Sequence, residues 1–141
     1  MARKLKRESL QALARVRLSE ARSLLEGGFF GGAYYLTGVA VECALKARIA
    51  SLTEQYEFPD LSRVRDSWNH DLDKLLGTAG LQEELRKKFG SDKQFEANWL
   101  TIKDWTIDTR YEQKVEREAQ DIFTAATQPK HGIIGWIEDY W

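Results

Sequence analysis

Between Ala33 and Leu52 the chain sets Ala33, Leu36, Ala40, Cys43, Ala47 and Ala50 on one helical face and Val41, Leu45 and Ile49 on another. A helix that is apolar on most sides has to be surrounded, so this segment predicts a central helix and other helices packed around it. Candidates for the surround recur along the chain. From Ser9 to Glu26, Leu10, Ala14, Leu18, Ala21 and Leu25 keep steps of three and four, and Gly27-Gly28 ends the pattern. From Lys93 to Trp105, Phe95, Trp99 and Ile102 form an aromatic stripe expected in the core. From Glu112 to Gln128, Val115, Ala119, Ile122, Phe123 and Ala126 share a side, and Pro129 ends or bends the helix.

Shorter pieces fill the gaps. Residues 53–69, with Pro59-Asp60, read as a loop with one helical turn near 61–64. Asn69 is a suitable N-cap for a helix His70–Thr78 that buries Leu72, Leu75 and Leu76. A short helix Leu81–Phe89 stops at Gly90-Ser91, and Asp92 can cap the next one. The tail His131–Trp141 continues the helical pattern through Ile133, Ile134, Ile137 and Tyr140, and with Trp136 and Trp141 it predicts an oligomer interface.

No segment alternates strictly between apolar and polar residues, so a sheet has no source. The expected fold is all-α: an antiparallel, up-and-down bundle of four or five helices with short extra helices. At 141 residues it is read as one domain over 1–141.

Charge and composition exclude several function classes. Twenty-one basic residues against twenty-two acidic ones leave a net charge of −1, so no molecule-wide field draws the chain to nucleic acid or anionic membrane. The basic start Met1–Arg7 is not followed by the apolar run of a signal peptide, and Glu42, Lys46 and Arg48 interrupt the most apolar stretch. A cytoplasmic protein without a membrane span is expected. The one cysteine, Cys43, cannot form an internal disulfide and is read as a packing residue. Two distant His and no HExxH pattern argue against a metal site, and no cofactor is expected. The basic cluster Arg3, Lys4, Lys6, Arg7, Arg15 and Arg17 shares its helix with Glu8, Glu20 and Glu26 and reads as a solvated face.

Three constellations remain. On the central helix Tyr35, Glu42 and Lys46 line one stripe, and Glu42 precedes Lys46 in the favourable i, i+4 order. The segment Trp105–Tyr111 carries Asp108, Arg110 and Tyr111, and Arg110 is the expected partner of Glu42, either as a structural ion pair or as part of an anion- or nucleotide-binding site. Arg65 and His70 stand with four residues between them. Such a pair can stabilise a phosphate and move a proton in ribonuclease chemistry, while His70 at a helix start also suits capping or packing.

Three blocks resemble the HEPN domains, small helical bundles that bind nucleotides. Gly32–Ala47, with its Glu42 and Leu45-Lys46, is the most specific; His70-Asp71-Leu72 leading to Leu75-Leu76 and Arg110-Tyr111 before the last long helix follow in order. Together they span about residues 8–128. The resemblance implies an up-and-down bundle, often a homodimer, working beside a minimal nucleotidyltransferase as a toxin–antitoxin pair and similar to the helical bundle that follows the kanamycin nucleotidyltransferase core. Many relatives cut RNA without a metal through an Arg and a His at the start of the last long helix. Here Arg110 is followed by Tyr-Glu-Gln-Lys-Val-Glu-Arg, with no His. That departure implies a non-catalytic module binding a nucleotide or a partner protein, with Tyr35, Glu42, Lys46, Asp108, Arg110 and Tyr111 as ligand-binding residues. The alternative is a metal-independent endoribonuclease using Arg65 and His70.

Overall fold

The structure, a computed structural model, describes residues 6–54 and 61–141. Arg3, Lys4 and Pro59-Asp60, singled out in the sequence, lie outside the described residues. The elements in order are α1 (Arg7–Glu26), α2 (Phe30–Glu54), α3 (Leu61–Asp66), α4 (Leu72–Thr78), α5 (Gln82–Ser91), α6 (Lys93–Lys103), a 3-10 turn (Ile107–Tyr111), α7 (Glu116–Thr127) and α8 (Ile133–Glu138). The described residues contain no strand, and the fold is an all-α helical bundle.

The α1–α2 connection is tight because Gly28 takes φ +83°. Its N–H donates to the Leu25 carbonyl at 3.3 Å and Phe29 N–H to the Leu24 carbonyl at 2.8 Å, the paired bonds of a Schellman end. A residue with a Cβ would resist that backbone. The chain therefore reverses within a few residues, and α1 packs antiparallel along α2.

As its apolar girdle predicts, α2 is central: it touches α1, α4, α7, α8 and the 3-10 turn. Ala40, Val41, Ala44 and Leu45 are buried, and one contiguous core joins them to residues of α1, α4, α5, α6, α7 and α8. Small residues let neighbours come close. A Cβ placed on Gly38 would lie 2.0 Å from the Trp105 ring, so the indole rests directly on the α2 backbone there. Trp105 is 1% exposed, and its Nε1 finds no acceptor among the described residues.

The aromatic stripe of α6 is core, with Phe95, Trp99 and Ile102 buried. Each such side chain contributes about 1.5–3 kcal/mol by leaving water. The tail corrects an expectation. Ile133, Ile134, Trp136 and Ile137 are buried within the chain's own core, and Tyr140 and Trp141 pack against it, so these residues are not an open interface for oligomers. Arg48 of α2 ties the tail down: Nη1 donates to the Tyr140 carbonyl at 3.2 Å and Nε to the Ala79 carbonyl at 3.2 Å.

Caps set the helix boundaries. Asp92 accepts from Phe95 N–H at 3.0 Å and starts α6, as expected. The cap of α4 is Asp71 and not Asn69; Asp71 accepts from the N–H groups of Asp73 and Lys74, while Asn69 Oδ1 accepts from Asp71 N–H at 2.7 Å. His70 consequently lies on the turn before the helix. Residues 112–115, expected within the last long helix, precede α7, where Glu118 reaches back to accept from Val115 N–H.

Candidate functional site

A carboxylate on an otherwise apolar helix needs partners, since an unpaired buried charge is costly. Glu42 finds two. Its side chain keeps 12% exposure; Oε1 lies 2.8 Å from His70 Nδ1, and Oε2 accepts from Lys46 Nζ at 3.3 Å. An ionised carboxylate only accepts, so Nδ1 carries the hydrogen and Nε2 is left without a partner among the described residues. The ring, 51% exposed, is held on one edge and open on the other.

Local sequence explains why His70 is fixed there. Asn69 and Asp71 form successive Asx turns, and the buried Leu72, Leu75 and Leu76 dock α4 on α2. Upstream, Ser67 N–H donates to the Arg63 carbonyl and Trp68 N–H to the Arg65 carbonyl, so the chain leaves α3 in a hydrogen-bonded turn. Arg65 is exposed, and its side chain makes no hydrogen bond or ion pair among the described residues. Trp68 is 84% exposed.

Cys43, next to Glu42, is half-buried, and burial pushes its thiol above the usual range; the Glu42 charge adds to this, while Lys46 and Arg17 oppose it. A thiol held protonated is a poor nucleophile, which agrees with its reading as a packing residue. Arg17 is itself paired with Glu20 on α1.

The Glu42–Lys46 pair forms as expected, but Arg110 is not its partner. Both acceptor oxygens of Glu42 are engaged by His70 and Lys46, and the Arg110 guanidinium lies 4.8 Å over the Tyr111 ring. The cause is the packing of Trp105 on Gly38, which ties the 105–111 segment to the first half of α2. Tyr35 stacks on Trp105 with ring centroids 6.0 Å apart, and it stands seven residues, about 10 Å along the axis, before Glu42. The six expected ligand residues therefore divide. Glu42 and Lys46 join His70, Tyr35 joins the Trp105 turn, and Asp108, Arg110 and Tyr111 are exposed on that turn.

The sequence did not point to the Glu42–His70 contact, although a buried carboxylate and a His beside an Asx cap were both readable. Among the described residues, no three or more His, Cys, Asp or Glu side chains group to hold a metal ion. Two grooves follow α1, one along Ser19, Ser23 and Leu36 and the other along Arg15, Arg22 and Thr127; neither includes the Glu42 cluster. With Glu42 at 12% exposure and His70 at 51%, the cluster sits at the edge of the bundle, buried on one side and open to solvent on the other. No helix among the described residues is long and apolar enough to cross a membrane.

Fold and site together define an all-α bundle whose central helix presents a carboxylate and an ammonium, met at the rim by a directed imidazole from the turn before α4. Compared with protein-family models, curated proteins and solved structures, the chain matches none.

Proposed function

We propose that this chain is a HEPN-type helical module that binds a nucleotide or a nucleotidyltransferase-type partner without cutting RNA, self-associates as a homodimer, and serves in a toxin–antitoxin-like system in the cytoplasm. One observation carries the reading. The first and second sequence blocks, far apart along the chain, meet through the 2.8 Å contact of Glu42 with His70, beside Lys46. An ammonium at a partly open rim suits a phosphate group, or an acidic side chain of a partner, and the imidazole beside it offers an acceptor nitrogen to a hydroxyl or amine. Titration with nucleotides and copurification with a nucleotidyltransferase-type protein test it; a strictly monomeric protein indifferent to both overturns it.

A second reading, metal-independent RNA cleavage, draws on the fixed tautomer of His70, whose free Nε2 is the form a general base requires. RNA incubated with the protein in chelator decides between the two. Cleavage that disappears in a folded His70→Ala variant establishes the enzyme; intact RNA retires it.

A further inference from the structure

The indole of Trp68 is the most exposed of the large apolar side chains described, at 84%. Trp99, Trp105 and Trp136 are buried, and Trp141 lies under the Arg15 guanidinium at 5.0 Å. The next most exposed aromatic, Tyr111 at 78%, has the Arg110 guanidinium 4.8 Å from its ring centroid. Neither face of the Trp68 ring meets a ring or a cation among the described residues. Leaving so large an apolar surface in water forgoes the stabilisation its burial would give.

Its neighbours supply the complement. The Trp68 N–H bond to the Arg65 carbonyl keeps those two α-carbons within about 7 Å, and two residues of chain limit Trp68 and His70 to about the same reach. Residues 65–70 therefore bring together an indole, a guanidinium and an imidazole nitrogen that have no partner among the described residues, with Lys46 behind the imidazole. Aromatic faces stack on bases of any sequence, and cations at such spacing meet phosphate. The exposed Asp66 and Asp73 on the flanking helices, and the overall charge of −1, leave no continuous basic groove for a duplex.

We propose that Trp68 is a stacking platform for one nucleobase, of a free nucleotide or of a short single strand, with the adjoining phosphate held by the Arg65 guanidinium. The assignment rests on the nucleotide-binding half of the function proposed above.

Quenching of tryptophan fluorescence by adenosine monophosphate and by a short single-stranded oligoadenylate tests it, since the stacked indole is the exposed one. Wild type is expected to bind at least one probe. Trp68→Leu, which removes no buried contact, should weaken binding about tenfold or more with the helical circular dichroism unchanged, and Trp68→Phe should keep most of it. Binding of the monophosphate assigns a free nucleotide; binding of the oligonucleotide alone assigns a strand. Unaltered affinity in Trp68→Leu overturns the platform while leaving nucleotide binding at this face in place. Absence of binding by wild type overturns both. So does loss of a copurifying protein partner in Trp68→Leu when neither probe binds, because Trp68 is then a protein contact.

Discussion

The described residues contain two carboxylate–histidine contacts through Nδ1, and they are built for different ends. Glu42 meets His70 at 2.8 Å at the rim of α2, and Asp92 meets His131 at 2.6 Å where α6 begins. In the second, every group has a further structural task. Asp92 also caps α6 and sits 3.7 Å from Lys88; the carbonyl of His131 accepts from Asn98 Nδ2 at 2.8 Å, and Asn98 also holds Gln128 and Gln94. That network clamps the chain between α7 and α8. Around Glu42, by contrast, the imidazole keeps a free edge, and neither Arg65 nor the Trp68 ring finds a side-chain partner among the described residues. A pair saturated by backbone contacts holds the fold together; one that leaves donors, a base and an aromatic face unused can still receive something.

Substitutions should separate the two. Asn98→Ala strikes the clamp hardest, because Asn98 is buried and its three partners lose their bond at once; a loss of about 2–3 kcal/mol is expected, read as a melting temperature roughly 10 °C lower. Glu42→Ala removes the shared acceptor of Lys46 and His70, both partly solvated, and should cost a smaller amount, about 1–2 kcal/mol by urea titration. It should also weaken any nucleotide binding at this face.

Acid provides a third comparison. The Phe95 N–H, then His131, hold the Asp92 carboxyl below its usual range, so its contribution is complete above the unfolded-state value of about 3.9 and fades as pH falls through the lower folded value. Asp92→Asn should be less stable than wild type at neutral pH, and the difference should shrink below about pH 4. Thermal melts whose separation is the same at pH 7 and pH 2.5 would contradict this. The smallest effect is expected for His70→Ala, within about 1 kcal/mol, since water can replace the half-exposed imidazole at Oε1 and Lys46 still pairs Glu42. If it costs as much as His131→Ala, the distinction between clamp and receptive site collapses.

The fold was legible in the sequence wherever helical period was long and unbroken. Leu10 to Leu25 and Ala33 to Leu52 mark α1 and α2 within a few residues, and Phe95, Trp99 and Ile102 are buried as their spacing requires. Termini depended on single side chains. Asp71 outcompetes Asn69 as a cap because Asn69 is committed to the turn before it, and Val115 precedes α7 although its apolar character suited the helix. The tail read as an interface because pattern alone does not say whether apolar residues meet their own chain or another; contacts among Phe95, Trp136 and Tyr140 answer that.

The site was half legible. Glu42 and Lys46 announce themselves as charges on an apolar helix, and a partner had to exist. Choosing Arg110 over His70 required knowing at what height along α2 each distant segment crosses. That height is set by Trp105 resting on Gly38, a contact between residues 67 positions apart that no local spacing encodes. Trp68 was invisible for the opposite reason: its indole is 84% exposed, and a pattern of burial cannot flag a residue that remains outside.

The flat seating of Trp105 on Gly38 makes positions 38 and 105 a single unit of size. Any side chain at 38, even a methyl, collides with the indole, and no smaller ring at 105 fills the space it would vacate. Either residue altered alone injures the bundle, whereas a gain of bulk at 38 matched by a reduction at 105 can preserve the volume between them. Anyone redesigning this chain has to move the two together.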